Sequence, residues 1–156
     1  MTDHFLQLNQ DKTEVLVIGP EPMRVELLPK LQSVSLNPSS QVKNLGVIFD
    51  SELTFIPHIK NITKIGFYHL KNIARIRPVL SRANTEILMH AFISSRLDYC
   101  NALLAGLPHK SISSLQLLQN SAARVLTKTR RREHITPVLK SLHWLPVQFR
   151  IDFKVL

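Results

Sequence analysis

The stretch VKNLGVIFDSELTF, residues 42–55, decides how the chain is read. Its apolar run LGVIF (45–49) is bounded by Asn44 and Asp50, the pattern of a core strand between turn residues. After Thr54 the apolar positions recur at threes and fours, so sheet gives way to helix at this point. Asp50 and Glu52 then pose a chemical question. On a strand that ran on, the two carboxylates would share a face and could serve a small metal-dependent nuclease. At a strand-to-helix turn, Asp50 or Ser51 is a turn or cap residue, which is the simpler reading.

Working toward the N-terminus, KTEVLVIG (12–19) holds a four-residue apolar run, Val15 to Ile18, closed by Gly19 and Pro20; it reads as a second core strand. SVSL (33–36) is a weaker third. The intervening PEPMRVELLPK carries prolines at 20, 22 and 29, which predicts turns and forbids a long helix. Three short strands in so little chain imply a small antiparallel sheet or hairpin, because parallel pairs need longer crossovers.

The charge changes at the same place. Residues 1–52 contain four Lys/Arg against seven Asp/Glu, and residues 53–156 contain sixteen against four, giving formal charges of −3 and +12. Such a basic half points to a polyanionic partner, nucleic acid ahead of an anionic membrane surface. The 156 residues are about one domain, in up to two lobes. An apolar content of 44% with neither a membrane-length run nor a leader predicts a soluble intracellular protein. The lone Cys100 excludes an internal disulfide and cannot build a zinc site by itself.

Three long helices are predicted after Thr54. The first runs from Pro57 to Arg77, stopped by Pro78. At about 100° per residue, Ile59, Ile62, Ile65, Leu70, Ile73 and Ile76 share a broad face, and Lys60, Lys64, Lys71 and Arg75 fall on a narrow arc nearly opposite. Four cations without acidic i,i+4 partners repel one another, which favours a polyanion site over an ordinary solvated lysine face. The second helix spans Asn84 to Leu104, capped by Ser81 or Asn84, with a bend or split at Ser94-Ser95. In the third, ISSLQLLQNSAARVL, Ser113 and Gln116 stand at capping-box spacing. Leu115, Leu118, Ala122, Val125 and Leu126 form its core set, and Gln116, Asn120, Arg124 and Lys128 its polar stripe. TKTRRREH (127–134) follows, with Lys128, Arg130, Arg131 and Arg132 able to meet several phosphates; a solvated loop or a nuclear-import tract are the alternatives. The last 22 residues give a short helix, a break at Leu145-Pro146, and an amphipathic helix that stops inside its apolar pattern, as if the chain were cut off there.

Enzyme signatures are absent. No Walker, dinucleotide, nucleophile-elbow or H-E-x-x-H pattern occurs, and no two histidines stand three or four residues apart. Asp98, Tyr99 and Cys100 are adjacent, but a cysteine in an apolar helical context is ordinarily a small core residue.

The ordered series LNQDKTEVLVIG, VKNLGVIFDSELTFIPHI, SRLDYCNALLAGLP and LQLLQNSAARVLTKTRRREHITPVLKSLHWLPVQFRIDFKVL resembles the C-terminal part of the reverse transcriptase of jockey-like non-LTR (LINE-type) retrotransposons, over nearly the whole chain. In that family LN-x-x-KTE resembles the palm motif after the catalytic aspartates, and LGV-x-x-D the palm hairpin called the primer grip. The resemblance implies that Lys12 lies near the incoming nucleotide's phosphates. It implies that Leu45, Gly46 and Val47 support the primer end, and that the basic helical faces, with Arg124, track the template and primer backbone. The family's polymerase site needs an aromatic-x-Asp-Asp motif and an earlier Asp to hold two Mg²⁺ ions, whereas this chain contains no Asp-Asp pair.

The expected fold is therefore α+β and mainly helical: a palm remnant with a hairpin over residues 1–54, then a thumb-like helical bundle over 55–156. The expected function is non-sequence-specific binding of an RNA or DNA backbone, an RNA–DNA duplex included, without polymerisation, cofactor or membrane. The alternative is a helical interaction module that self-associates through an orphaned apolar surface.

Overall fold

The computed structural model describes Asn9, residues 13–33 and residues 37–156. The chain forms two compact units, Met1–Pro57 and His58–Leu156. Lys12 and most of SVSL lie outside the described residues.

In the first unit the proline-rich segment is helical after all. Helix α1 (Glu21–Ser33) has Pro20 just before it, Pro22 in its first turn and Pro29 inside. The first two prolines fall where backbone N–H groups have no intrahelical partner anyway, so they cost nothing. Pro29 removes one interior bond without ending the helix, and a Glu26–Lys30 ion pair of 3.1 Å spans it. No residue of α1 is buried.

Strands β1 (Gln41–Asn44) and β2 (Val47–Asp50) pair antiparallel, from Gln41 opposite Asp50 to Asn44 opposite Val47. Leu45 and Gly46 are not strand residues as expected; they form the two-residue loop, both at positive φ (45° and 85°). That is the mirror-image turn whose twist matches a hairpin. Glycine adopts it freely, and Leu45 does so at a steric cost.

The run Val15 to Ile18 is not a core strand. Among the described residues Val15 makes one parallel bridge, to Pro38, with the Ser39 N–H donating to the Val15 carbonyl at 2.8 Å. Ser39 supplies the donor of this bridge, so Pro38, which has no N–H, sits where none is needed, and Ile18 is exposed.

The second unit is a helical bundle. Helix α2 (Ile56–Ile76) carries Pro57 in its first turn and passes into a 3₁₀ turn, Arg77–Val79. It buries Ile59, Ile62, Leu70 and Ile73, as its periodicity predicts; Ile76, at its end, is exposed. Ser81 caps α3 (Arg82–Met89), its Oγ accepting from the Asn84 N–H at 3.1 Å. A π-helical segment, His90–Ser94, follows, and the Ser95 N–H donates to the His90 carbonyl five residues back. The helix expected to bend or split at Ser94-Ser95 changes from π- to α-helix there and also ends short of Leu104, as α4 (Ser95–Asp98) stops at Tyr99. Cys100 takes φ 50°, and Asn101–Leu104 form a 3₁₀ turn.

Helix α5 (His109–Thr127) begins four residues before the capping-box position. Pro108 pre-sets the entry, and Ser113 lies inside the helix with its Oγ donating to the Lys110 carbonyl. Helices α6 (Ile135–Ser141) and α7 (Val147–Val155) flank the predicted break at Leu145-Pro146. The core gathers Met89, Ile93, Leu115, Leu118, Leu126 and Ile151, each essentially inaccessible to solvent. Two members of α5 fix α7 in place. The Gln119 Nε2 donates to the Leu145 carbonyl at 2.8 Å, and the Gln116 Oε1 accepts from the Val147 N–H at 2.8 Å. Arg150 on α7 grips the Asp98 carboxylate through both Nε and Nη2. The α+β, mainly helical class holds: a two-stranded antiparallel hairpin precedes the bundle, and 65% of the structure is helical.

Candidate nucleic-acid interface

Asp50 ends β2, and its carboxylate is filled by its own turn. Oδ1 accepts from the Glu52 N–H (3.2 Å), the Thr54 N–H (3.0 Å) and the Thr54 hydroxyl (3.1 Å); Oδ2 accepts from the Phe55 N–H at 2.8 Å. Burial alone would raise its pKa, but these donors together outweigh burial and hold it below the ordinary carboxylate range. Glu52 turns instead to Arg24, at 2.9 Å. The pair is thus a turn anchor and an ion-pair partner, and not a shared metal face. Among the described residues no three His, Cys, Asp or Glu come together as metal ligands. The two Mg²⁺ ions of the resembled family have no fitting donor set among them.

Of the primer-grip-like residues, Val47 is buried at the start of β2, whereas Leu45 at the hairpin tip is 82% exposed. Asp98, Tyr99 and Cys100 make no nucleophilic site. Asp98 is occupied by Arg150, and Cys100 is exposed instead of forming part of the core, because the backbone turns out of helix there.

On α2, Lys60, Lys64, Lys71 and Arg75 are all exposed, and among the described residues none has an acidic partner within ion-pair distance. The row faces solvent because the opposite side of the helix carries the isoleucines that make the core. Arg124 behaves differently from expectation. Its two terminal nitrogens donate to the carbonyls of Arg130 (2.5 Å) and Glu133 (2.7 Å), while the Arg130 N–H donates to the Glu133 carboxylate at 2.9 Å. Arg124 thereby braces the loop that displays Lys128, Arg130, Arg131 and Arg132, all exposed. Lys128, at φ 59°, ends α5 in the left-handed conformation that starts this loop.

The brace makes a prediction. Arg124→Met should loosen the loop, raising tryptic cleavage after Arg130, Arg131 and Arg132 about 5- to 10-fold under native conditions, for the loss of two hydrogen bonds from a charged donor. Unchanged cleavage at those three sites, mapped by mass spectrometry, would remove that role.

Arg124 and Arg131 line a groove of about 680 Å³ together with Phe67 of α2, Leu117, Asn120 and Thr129 among others. Phe67 lies three residues from Lys64 and four from Lys71 on α2, so those two lysines are its neighbours on the helix surface. Gly66, beside Phe67, lets α5 come close. A Cβ there would stand 2.3 Å from the Leu118 Cδ2. The sequence reading passed over Gly66, although a glycine inside a strongly amphipathic helix is itself a packing signal. The polar stripe of α5 divides in the same way: Gln116 secures α7 and donates to Asn120 at 2.8 Å, leaving the groove to Asn120 and Arg124.

Among the described residues the charged chemistry thus forms an open cationic surface, with no enclosed pocket of convergent acids. No protein-family model matches the chain, and no solved structure matches it. It is similar to the probable RNA-directed DNA polymerase from transposon BS of Drosophila melanogaster, 28% identical over 138 residues that cover 79% of this chain. The alignment takes in 14% of that protein, so the chain spans about a seventh of its relative's length. The similarity to a transposon RNA-directed DNA polymerase that the motif series announced is borne out.

Proposed function

We propose that the chain is a non-catalytic, nucleic-acid-holding part of a retrotransposon reverse transcriptase, its first unit a palm remnant and its second a thumb. It binds RNA or DNA through the phosphate backbone, without sequence preference. The reading is carried by the four exposed cations of α2, which have no acidic partner among the described residues, on the helix that also contributes Phe67 to the groove that Arg124 and Arg131 line. Like charges held at this spacing destabilise a helix unless a polyanion neutralises them, and phosphates are the polyanion on which the similar polymerase acts. The absence of an Asp-Asp pair supports binding in place of nucleotidyl transfer for this chain.

The test is fluorescence anisotropy of a labelled oligonucleotide across salt. Affinity should fall steeply between about 50 and 500 mM salt. Changing Lys60, Lys64, Lys71 and Arg75 together to Gln should flatten the slope of log K against log salt by roughly 2 to 4 units, up to one per lost phosphate contact. Binding of equal strength at both ends of that salt range would sink the proposal.

A second reading rests on α7, where Phe149 and Phe153 are exposed while Val147 and Ile151 are buried. An apolar face of this kind is a self-association surface. It predicts dimers in light scattering without nucleic acid, and a clean monomer at tens of micromolar would exclude it.

A further inference from the structure

The cationic row of α2 has an aromatic neighbour that the backbone-binding proposal does not use. Tyr68 is 64% exposed and stands four residues after Lys64 and three before Lys71, which puts it directly against both on the helix surface. No hydrogen bond engages its hydroxyl among the described residues. A tyrosine that covers no core and satisfies no polar group contributes little to folding from this position.

It is nonetheless held in place from behind. The Tyr68 ring meets the His69 ring edge to face, with centroids 5.4 Å apart, and His69 stacks on Phe92 at 4.9 Å with 28° between planes. His69 is oriented in turn by Arg96, whose Nη2 lies 3.3 Å from the imidazole Nε2. A guanidinium only donates, so in this contact the imidazole Nε2 is the acceptor. Phe92 comes from the π-helical segment, whose backbone hydrogen bonds reach back five residues instead of four. Three rings from two helices thus form a shelf whose open end is Tyr68, flanked by Lys64 and Lys71.

Cations spaced along a helix engage phosphates, and an exposed, braced aromatic between them offers its face to a base that has left its own stack. A duplex keeps its bases stacked inside and has none to offer. We propose that Tyr68, backed by His69 and Phe92, is a base-stacking platform, so that the α2 surface takes single-stranded RNA or DNA in preference to duplex. This rests on the backbone-binding reading and adds to it a contact with the base.

The experiment compares three labelled probes on the full chain: an oligothymidylate of about 12 nucleotides, an abasic oligomer of the same length and charge, and a duplex of that length. Base stacking is sequence-tolerant and worth enough that the oligothymidylate should bind about 5- to 20-fold more tightly than its abasic counterpart. Tyr68→Ala should remove that preference and leave the salt slope intact; Tyr68→Phe should retain it. The side chain is exposed, so both variants should keep the wild-type melting temperature. Equal, salt-dependent binding of the oligothymidylate and abasic probes would overturn the platform and leave the backbone reading standing. A preference for the oligothymidylate that survives Tyr68→Ala would overturn the role of Tyr68. No binding of any probe at low salt would overturn both readings.

Discussion

Gly66→Val should cost the helical unit about 3 kcal/mol, seen as a fall in melting temperature of roughly 10 °C or more. The cause is the approach of α2 to α5. Even the first carbon of a side chain at Gly66 falls 2.3 Å from the Leu118 Cδ2 and 3.2 Å from its Cδ1. Leu118 has nowhere to retreat, since it is fully buried, with Leu115, Ala122 and Ala123 of its own helix equally closed to solvent. Gly66→Ala pits the same clash against a gain of up to about 1 kcal/mol in helix propensity, so its loss should be smaller. The decisive comparison pairs Gly66→Ala with Leu118→Ala. Leu118→Ala alone should cost about 2–5 kcal/mol through the cavity it opens. The added methyl occupies part of that space, so the double variant should be more stable than the sum of the two losses predicts. Strict additivity, or a Gly66→Val protein that melts with the wild type, would show that the helices are free to separate.

Asp50→Ala should destabilise the hairpin unit by about 2–4 kcal/mol, read as faster hydrogen exchange at the β1–β2 ladder amides. One carboxylate satisfies three backbone donors and a hydroxyl across a turn in which Leu53 and Phe55 both sit at positive φ, 53° and 55°. Without it these donors lose their partner, and nothing offsets the cost of two side-chain-bearing residues in the left-handed region. The folded pKa of Asp50 lies below its unfolded value of about 3.9. Its contribution is therefore complete above that unfolded value and is lost as pH falls through the folded one. Asp50→Asn, which has no proton to gain, should show a shallower acid-side loss of ladder protection than the wild type. Parallel acid profiles for the two proteins would mean that the carboxylate is not held as the geometry indicates.

The helices were legible wherever burial and period coincide. Ile59, Ile62, Leu70 and Ile73 on α2, and Leu115, Leu118, Ala122 and Leu126 on α5, announce their faces because a core admits one side of a helix only. The first unit was harder to read, since its structure follows from pairing more than from pattern. QVKN has one apolar residue yet forms β1, because β2 gives it a ladder; among the described residues the more strand-like Val15 to Ile18 makes just the bridge from Val15 to Pro38. Of the candidate site, the four cations of α2 were readable as a row. Arg124 was not readable as a brace, because its acceptors are carbonyls six and nine residues away, set by a loop that only the fold closes. Tyr68 went unremarked because an exposed tyrosine has no signature until the rings behind it are seen.

The π-helical segment His90–Ser94 gives the molecule's history a physical handle. Such a segment is what an α-helix becomes when one residue is inserted and the chain absorbs it as a bulge without rotating everything downstream. Removing any single codon between those for His90 and Ser94 would restore the ordinary pitch. Helices α3 and α4 would keep their facings, because the bulge had already absorbed the extra residue, and only the segment itself, with Phe92, would be re-set against His69.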